Sequence, residues 1–166
     1  MKKFILAVAL SVVLALGAGC GGTKTIKTDE GTVKVDNNKV EVTTNDGGKS
    51  QISVNEPGGI SLPEDYPKEI VPIIADGKIV LASKNEDPDK RISYWVTVNS
   101  PKDPKEVYGF YQEALKDATE TQKTEVNNDY FISGIKGDRS FTVSVSSEEN
   151  EGVKGSVIQI VVLPKE

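Results

Sequence analysis

The 166-residue chain has no histidine, one cysteine, one tryptophan and only 6% aromatic residues, and each scarcity removes a class of chemistry. Without histidine there is no Ser-His-Asp or Cys-His nucleophile, and a Cys/His metal cage is excluded as well. No apolar run is as long as the ~20 residues of a membrane-spanning helix. At 37% hydrophobic and 27% charged the chain is neither a multi-span membrane protein nor a disordered tail. Its core must be modest, and its length suits one domain with extensions.

What is present begins at the N-terminus. Lys2 and Lys3 precede an apolar run from Phe4 to Leu16 broken only by Ser11, and the small residues Gly17, Ala18 and Gly19 follow. A charged start, apolar middle and small-residue end is the pattern of a cleaved export signal. Leu16-Gly17-Ala18-Gly19-Cys20 resembles the lipobox of bacterial lipoproteins, with Leu16 one step further from the cysteine than is usual. The resemblance implies that Cys20 is diacylated and becomes the first mature residue. Two acyl chains, at about 0.8 kcal/mol per buried CH₂, anchor a protein stably where one would not. Alkylation also removes a free thiol from an oxidising compartment. Loss of Lys2 and Lys3 takes the basic side chains from 20 to 18 against 25 acidic ones, a formal balance of about −7. Scattered lysines in so acidic a body argue against nucleic acid as a partner.

Four segments are expected: 1–19 a lipoprotein signal peptide, 20–31 a lipidated flexible tether, 32–56 a short β-rich segment, and 57–166 an α+β domain. In the third, Val33, Val35, Val40, Val42, Ile52 and Val54 recur at period two around the turn-rich pieces Asp36-Asn37-Asn38 and Asn45-Asp46-Gly47-Gly48, predicting hairpins. Glu56-Pro57-Gly58-Gly59 breaks that pattern. Pro63, Pro67 and Pro72 then forbid regular structure, so Leu62, Tyr66, Ile70 and Val71 are read as a strap over the main domain.

The last hundred residues predict strands at Lys78–Ala82 and Arg91–Val98, then a helix. Asp103-Pro104-Lys105-Glu106 supplies an N-cap, a proline at the first helical position and a glutamate placed to close a capping box. Val107, Phe110, Tyr111, Ala114, Leu115 and Ala118 make one apolar stripe. Three more strands are predicted at Tyr130–Ile135, Ser140–Ser146 and Ser156–Leu163, the last two joined by an acidic loop from Ser147 to Gly155. The expected fold class is α+β: an antiparallel β-sheet with one amphipathic helix packed on one face, β-β-α-β-β-β, preceded by a short β-hairpin-rich segment. Tyr94, Val96 and Val98 should face the helix, and Ser93, Trp95 and Thr97 should face away from it. The VIQIVVL strand is apolar on both sides, which implies a central position or a second cover.

Chemistry-bearing motifs are few. Gly47-Gly48-Lys49-Ser50 imitates the end of a P-loop, but Thr43 stands where its first glycine is required. Asn85–Asp89 and Glu148–Gly152 are oxygen-rich loops without the alternating ligands, central glycine and terminal glutamate of an EF-hand, so solvated acidic loops are expected. No carboxylate pair is singled out by spacing. Trp95, on the face away from the helix, and Tyr108, off the main helical stripe, are the candidate binding surface. The favoured expectation is that the strap or the hairpins cover Trp95. No catalytic residue, metal ligand or cofactor is expected, and the chain is not expected to be an enzyme. The lipobox together with the LPEDYPKEIVPI segment and a one-helix sheet resembles small bacterial lipoproteins of uncharacterised function, and more weakly the PsbP-like lipoproteins, whose second helix has no counterpart here. The implied address is the extracytoplasmic face of the cell membrane. The expected role is a noncatalytic module for an envelope protein or small ligand, with a lipid or hydrophobe carrier or a carboxylate-dependent hydrolase accessory as alternatives.

Overall fold

The computed structural model describes residues 23–36, 38–54, 60–150 and 153–165. The signal peptide, the lipobox with Cys20, the Glu56–Gly59 break and the Glu151-Gly152 part of the acidic loop lie outside them. Ten strands run β1 (Lys24–Thr28), β2 (Gly31–Asp36), β3 (Lys39–Thr44), β4 (Lys49–Val54), β5 (Lys78–Glu86), β6 (Ile92–Ser100), then the helix α1 (Pro104–Ala114), β7 (Thr119–Val126), β8 (Asp129–Lys136), β9 (Arg139–Asn150) and β10 (Val153–Pro164). All ten form one antiparallel sheet in the order β1-β2-β3-β4-β5-β6-β10-β9-β8-β7.

This corrects the expected α+β class. Among the described residues the protein is predominantly β, with one 11-residue helix on a ten-stranded sheet, and the strand pattern is not β-β-α-β-β-β. Three causes can be named. β7 reads TETQKTEV and is exposed along its whole length, so it carries no apolar alternation from which to predict a strand. β1 falls within the segment read as a tether. Pairing of Ile52 with Ser83 and of Gln51 with Lys84 joins β4 to β5, so the hairpins continue the main sheet across residue 56. The acidic loop also shrinks, because β9 and β10 stay in register as far as Asn150 opposite Val153.

The helix follows its local signals. Asp103 adopts extended geometry and its carboxylate accepts from the Lys105 amide at 2.9 Å. Glu106 departs from the capping-box role and pairs with the Lys102 ammonium. Val107, Tyr111 and Leu115 are buried against the sheet, and α1 touches β8, β9 and β10. The main core gathers Tyr94, Val96 and Val98 of β6, Ile158, Ile160 and Val162 of β10, and Phe141, Val143 and Val145 of β9 under the helix and strap. β10 is central, between β6 and β9.

The proline strap lies on the helix side. The Tyr66 ring meets Tyr94 edge-on at 5.6 Å, its hydroxyl donates to the Val71 carbonyl at 2.9 Å, and the Tyr94 hydroxyl donates to the Asp65 carbonyl at 2.9 Å. The sheet edges are charged: β1 carries Lys24 and Lys27, while β7 carries Glu120, Lys123 and Glu125 and a register irregularity. Such edges resist strand addition from other chains.

Candidate functional site

Ladder partners decide which side chains share a face, because directly opposed residues project the same way. One row runs Val40, Ile52, Ser83, Trp95 and continues through Val161, Thr142 and Ser133. A second runs Val42, Ser50, Asn85, Ser93, and Leu163 pairs with Ser140 on the same side. These rows lie on the face opposite the helix and strap. In β6, β8, β9 and β10 the helix side is apolar and the open side largely hydroxylated. In β2 and β3 the arrangement inverts: Val33, Val35, Val40 and Val42 share the open side and form a second buried cluster, while Lys34 and Glu41 pair on the helix side. The sheet thus carries two cores on opposite faces, with β4 and β5 between them.

Five large apolar side chains are exposed among the described residues: Ile26, Trp95, Val126, Phe131 and Leu163. Strand register puts all five on the open face. Ile26 opposes Val33, Phe131 lies two residues from Ser133, Val126 lies two from Thr124, which opposes Phe131, and Leu163 lies two from Val161. Trp95 is 46% exposed. The expected cover is absent because the strap packs on the other side and the hairpins continue the sheet by pairing β4 with β5.

The central part of this face is uncharged. β6 contributes Ser93, Trp95, Thr97 and Asn99, and β10 contributes Val157, Gln159, Val161 and Leu163. β9 adds Ser140, Thr142, Ser144 and Ser146, and β8 adds Phe131, Ser133 and Ile135. At one end the surface dips into a cleft of ≈ 370 Å³ lined by Val42, Ser50, Asn85, Ser93, Ser140 and Leu163 and also by the charged side chains of Lys49, Glu86, Asp87 and Arg91. That volume falls within the usual small-ligand range of about 300–1,000 Å³. The Ser50 hydroxyl donates to Asn85 Oδ1 at 2.7 Å, which orients the amide.

The two acids of the cleft are already engaged. Asp87 accepts from the Arg91 amide at 2.9 Å and from Arg91 Nε at 2.8 Å, and the amide bond leads in holding its carboxyl below the ordinary range. Glu86 meets Lys90 Nζ at 2.7 Å, and that bond lowers its pKa likewise. Both acids are therefore held ionised, the opposite of what a general acid needs. Among the described residues no group of His, Cys, Asp and Glu is arranged to hold a metal ion. Gly47, at φ 92°, belongs to the β3–β4 hairpin turn, which accounts for the P-loop-like glycines.

The structure does not bring the two candidate residues together. Tyr108 stacks on Tyr130 at 4.6 Å and packs against the main core, on the helix side. Trp95 stands on the other face, in company the sequence reading missed: Phe131, Leu163, Val126 and Ile26. Phe131 was legible in part, since it alternates with Tyr130 and Ile132 and so sides with Ser133. Comparison of the chain with protein families, with curated proteins and with solved structures returns no match.

Proposed function

We propose that this chain is a lipid-anchored protein of the cell envelope, held through acylated Cys20 and presenting the open face of its sheet as a noncatalytic binding surface. The observation that carries the binding role is the collection of every exposed large apolar side chain among the described residues on one sheet face. Trp95 and Leu163, two residues beyond its ladder partner Val161, expose apolar surface among hydroxylated neighbours, and an exposed tryptophan so placed is a favoured anchor. The address rests on the Lys2-Lys3 start, the Phe4–Leu16 run and Cys20. No helix among the described residues is long and apolar enough to cross a membrane.

On this reading the domain stands close to the bilayer. β1 begins at Lys24, four residues past Cys20, and four residues span at most about 14 Å. A carrier that holds lipid between helix and sheet is disfavoured, because Val107, Tyr111 and Leu115 are 0–2% exposed and fill that gap. Intact-mass measurement of protein extracted from membranes tests the anchor. The expected mass lacks residues 1–19 and includes acyl chains on Cys20, and Cys20→Ala should leave washed membranes. Protein that begins at Met1 with a free thiol would overturn the reading.

A further inference from the structure

We propose that the open face around Trp95 binds a neutral glycan; this rests on the reading of the chain as an envelope binding module and names its ligand class. Charge is the first argument. In a chain that is 27% charged, the central strands β6, β10, β9 and β8 project no Lys, Arg, Asp or Glu onto this face between Ser93 and Asn99, Val157 and Leu163, Ser140 and Ser146, or Phe131 and Ile135. The strand surface itself offers no ion-pair partner for an anionic polymer or a charged peptide, the charged groups at its cleft end include the Asp87–Arg91 and Glu86–Lys90 pairs, and the acidic body repels polyanions. The complementary ligand is uncharged.

Hydrogen-bonding capacity is the second. Thr97, Thr142, Ser144 and Gln159 stand half-buried or exposed beside Trp95, and each both donates and accepts. A sugar ring presents the matching chemistry: hydroxyls at its edge and a C–H face that lies flat on an indole, whose own body is apolar and whose N–H is a donor. An acyl chain would bury those hydroxyls and the glutamine amide without partners, which is unfavourable. A second copy packed face to face would set hydroxyl against hydroxyl where sandwich cores are apolar.

Shape is the third. Ser93, two residues from Trp95 on β6, lines the ≈ 370 Å³ cleft with Asn85 and Leu163, so the tryptophan platform runs into a concave end with an oriented amide. A glycan strand would cross the strands from Trp95, with one unit seated in the cleft.

Trp95 is the only tryptophan, so its emission reads the face directly. The full chain, purified in detergent, is titrated with soluble oligomers of N-acetylglucosamine and, separately, of glucose. A saturable emission change with at least one series is expected, and Thr142→Lys should weaken it at least tenfold with an unchanged circular dichroism spectrum. Gln159→Lys, at an exposed position, serves if Thr142→Lys does not fold. No response to either series overturns the proposal. So does a change driven by protein concentration alone, which would mean self-association, or by phosphatidylcholine vesicles alone, which would mean lipid. Cys20→Ala should bind the oligomers as the parent does, so loss of anchoring and loss of glycan binding are read separately.

Discussion

Replacing Tyr66 and Tyr111 in turn by phenylalanine separates a buried phenol that earns its hydrogen bond from one that lacks it. Tyr66 is 4% exposed and Tyr111 0%. The Tyr66 hydroxyl donates to the carbonyl of Val71 at 2.9 Å, and Val71 is itself fully buried. Removing the hydroxyl strands that carbonyl, at a cost of about 1–2 kcal/mol. Among the described residues the buried Tyr111 hydroxyl has no partner in hydrogen-bond geometry; the backbone of Ile74 draws its pKa down without meeting that geometry. Its desolvation is uncompensated, so Tyr111→Phe should range from neutral to stabilising by about 1 kcal/mol. At about 2–4 °C per kcal/mol for a chain of this size, Tyr66→Phe should lower Tm by about 2–8 °C, and Tyr111→Phe should leave it unchanged or raise it. Urea unfolding with an unchanged slope would place both effects in the folded state. A Tyr111→Phe protein less stable than Tyr66→Phe would refute the reasoning, because it would mean that the deep hydroxyl is the one with a partner.

Alkali should unfold the protein through its phenols. Burial raises Tyr66 and Tyr111 well above the ordinary value of 10.0, and burial followed by the hydrogen bond to Asp65 pushes Tyr94 up to about 12. The folded chain therefore keeps protons that the unfolded chain releases. Stability should be complete below about pH 10 and fall above it, by up to about 1.4 kcal/mol per pH unit for each such tyrosine; flat stability to pH 12 in urea titrations would contradict this. Asp103→Ala should cost about 1 kcal/mol through loss of the N-cap, read as a Tm decrease, and Asp103→Asn should restore most of it. In Gly31→Ala the new Cβ would stand 2.1 Å from the Thr43 carbonyl oxygen and 2.9 Å from Thr44 Cα, both backbone atoms that cannot swing aside. A loss of about 1–3 kcal/mol is expected, with amide exchange accelerated first in β2 and β3; uniform protection across those strands would contradict it.

The amino-acid sequence by itself determined the features set by near neighbours. Asp103, Pro104 and the stripe through Val107, Tyr111 and Leu115 specify the helix and its buried side, because caps and 3.6-residue periodicity act within one or two turns. Period-two alternation specifies that Tyr94, Val96 and Val98 are buried and that Trp95 points the other way. The exported, acylated N-terminus is likewise an expectation of sequence alone. Only the tertiary structure decided which strand lies beside which. A strand edge offers the same amide and carbonyl groups whatever its partner, so nothing local in KSQISV announces that β4 will pair with β5, and nothing in TETQKTEV announces an edge strand. Those long-range pairings made the hairpins part of the main sheet rather than a separate layer over Trp95. They left Trp95 uncovered and brought Ile26, Val126, Phe131 and Leu163 onto the same face of the sheet, because a face exists only once distant strands have been brought into register.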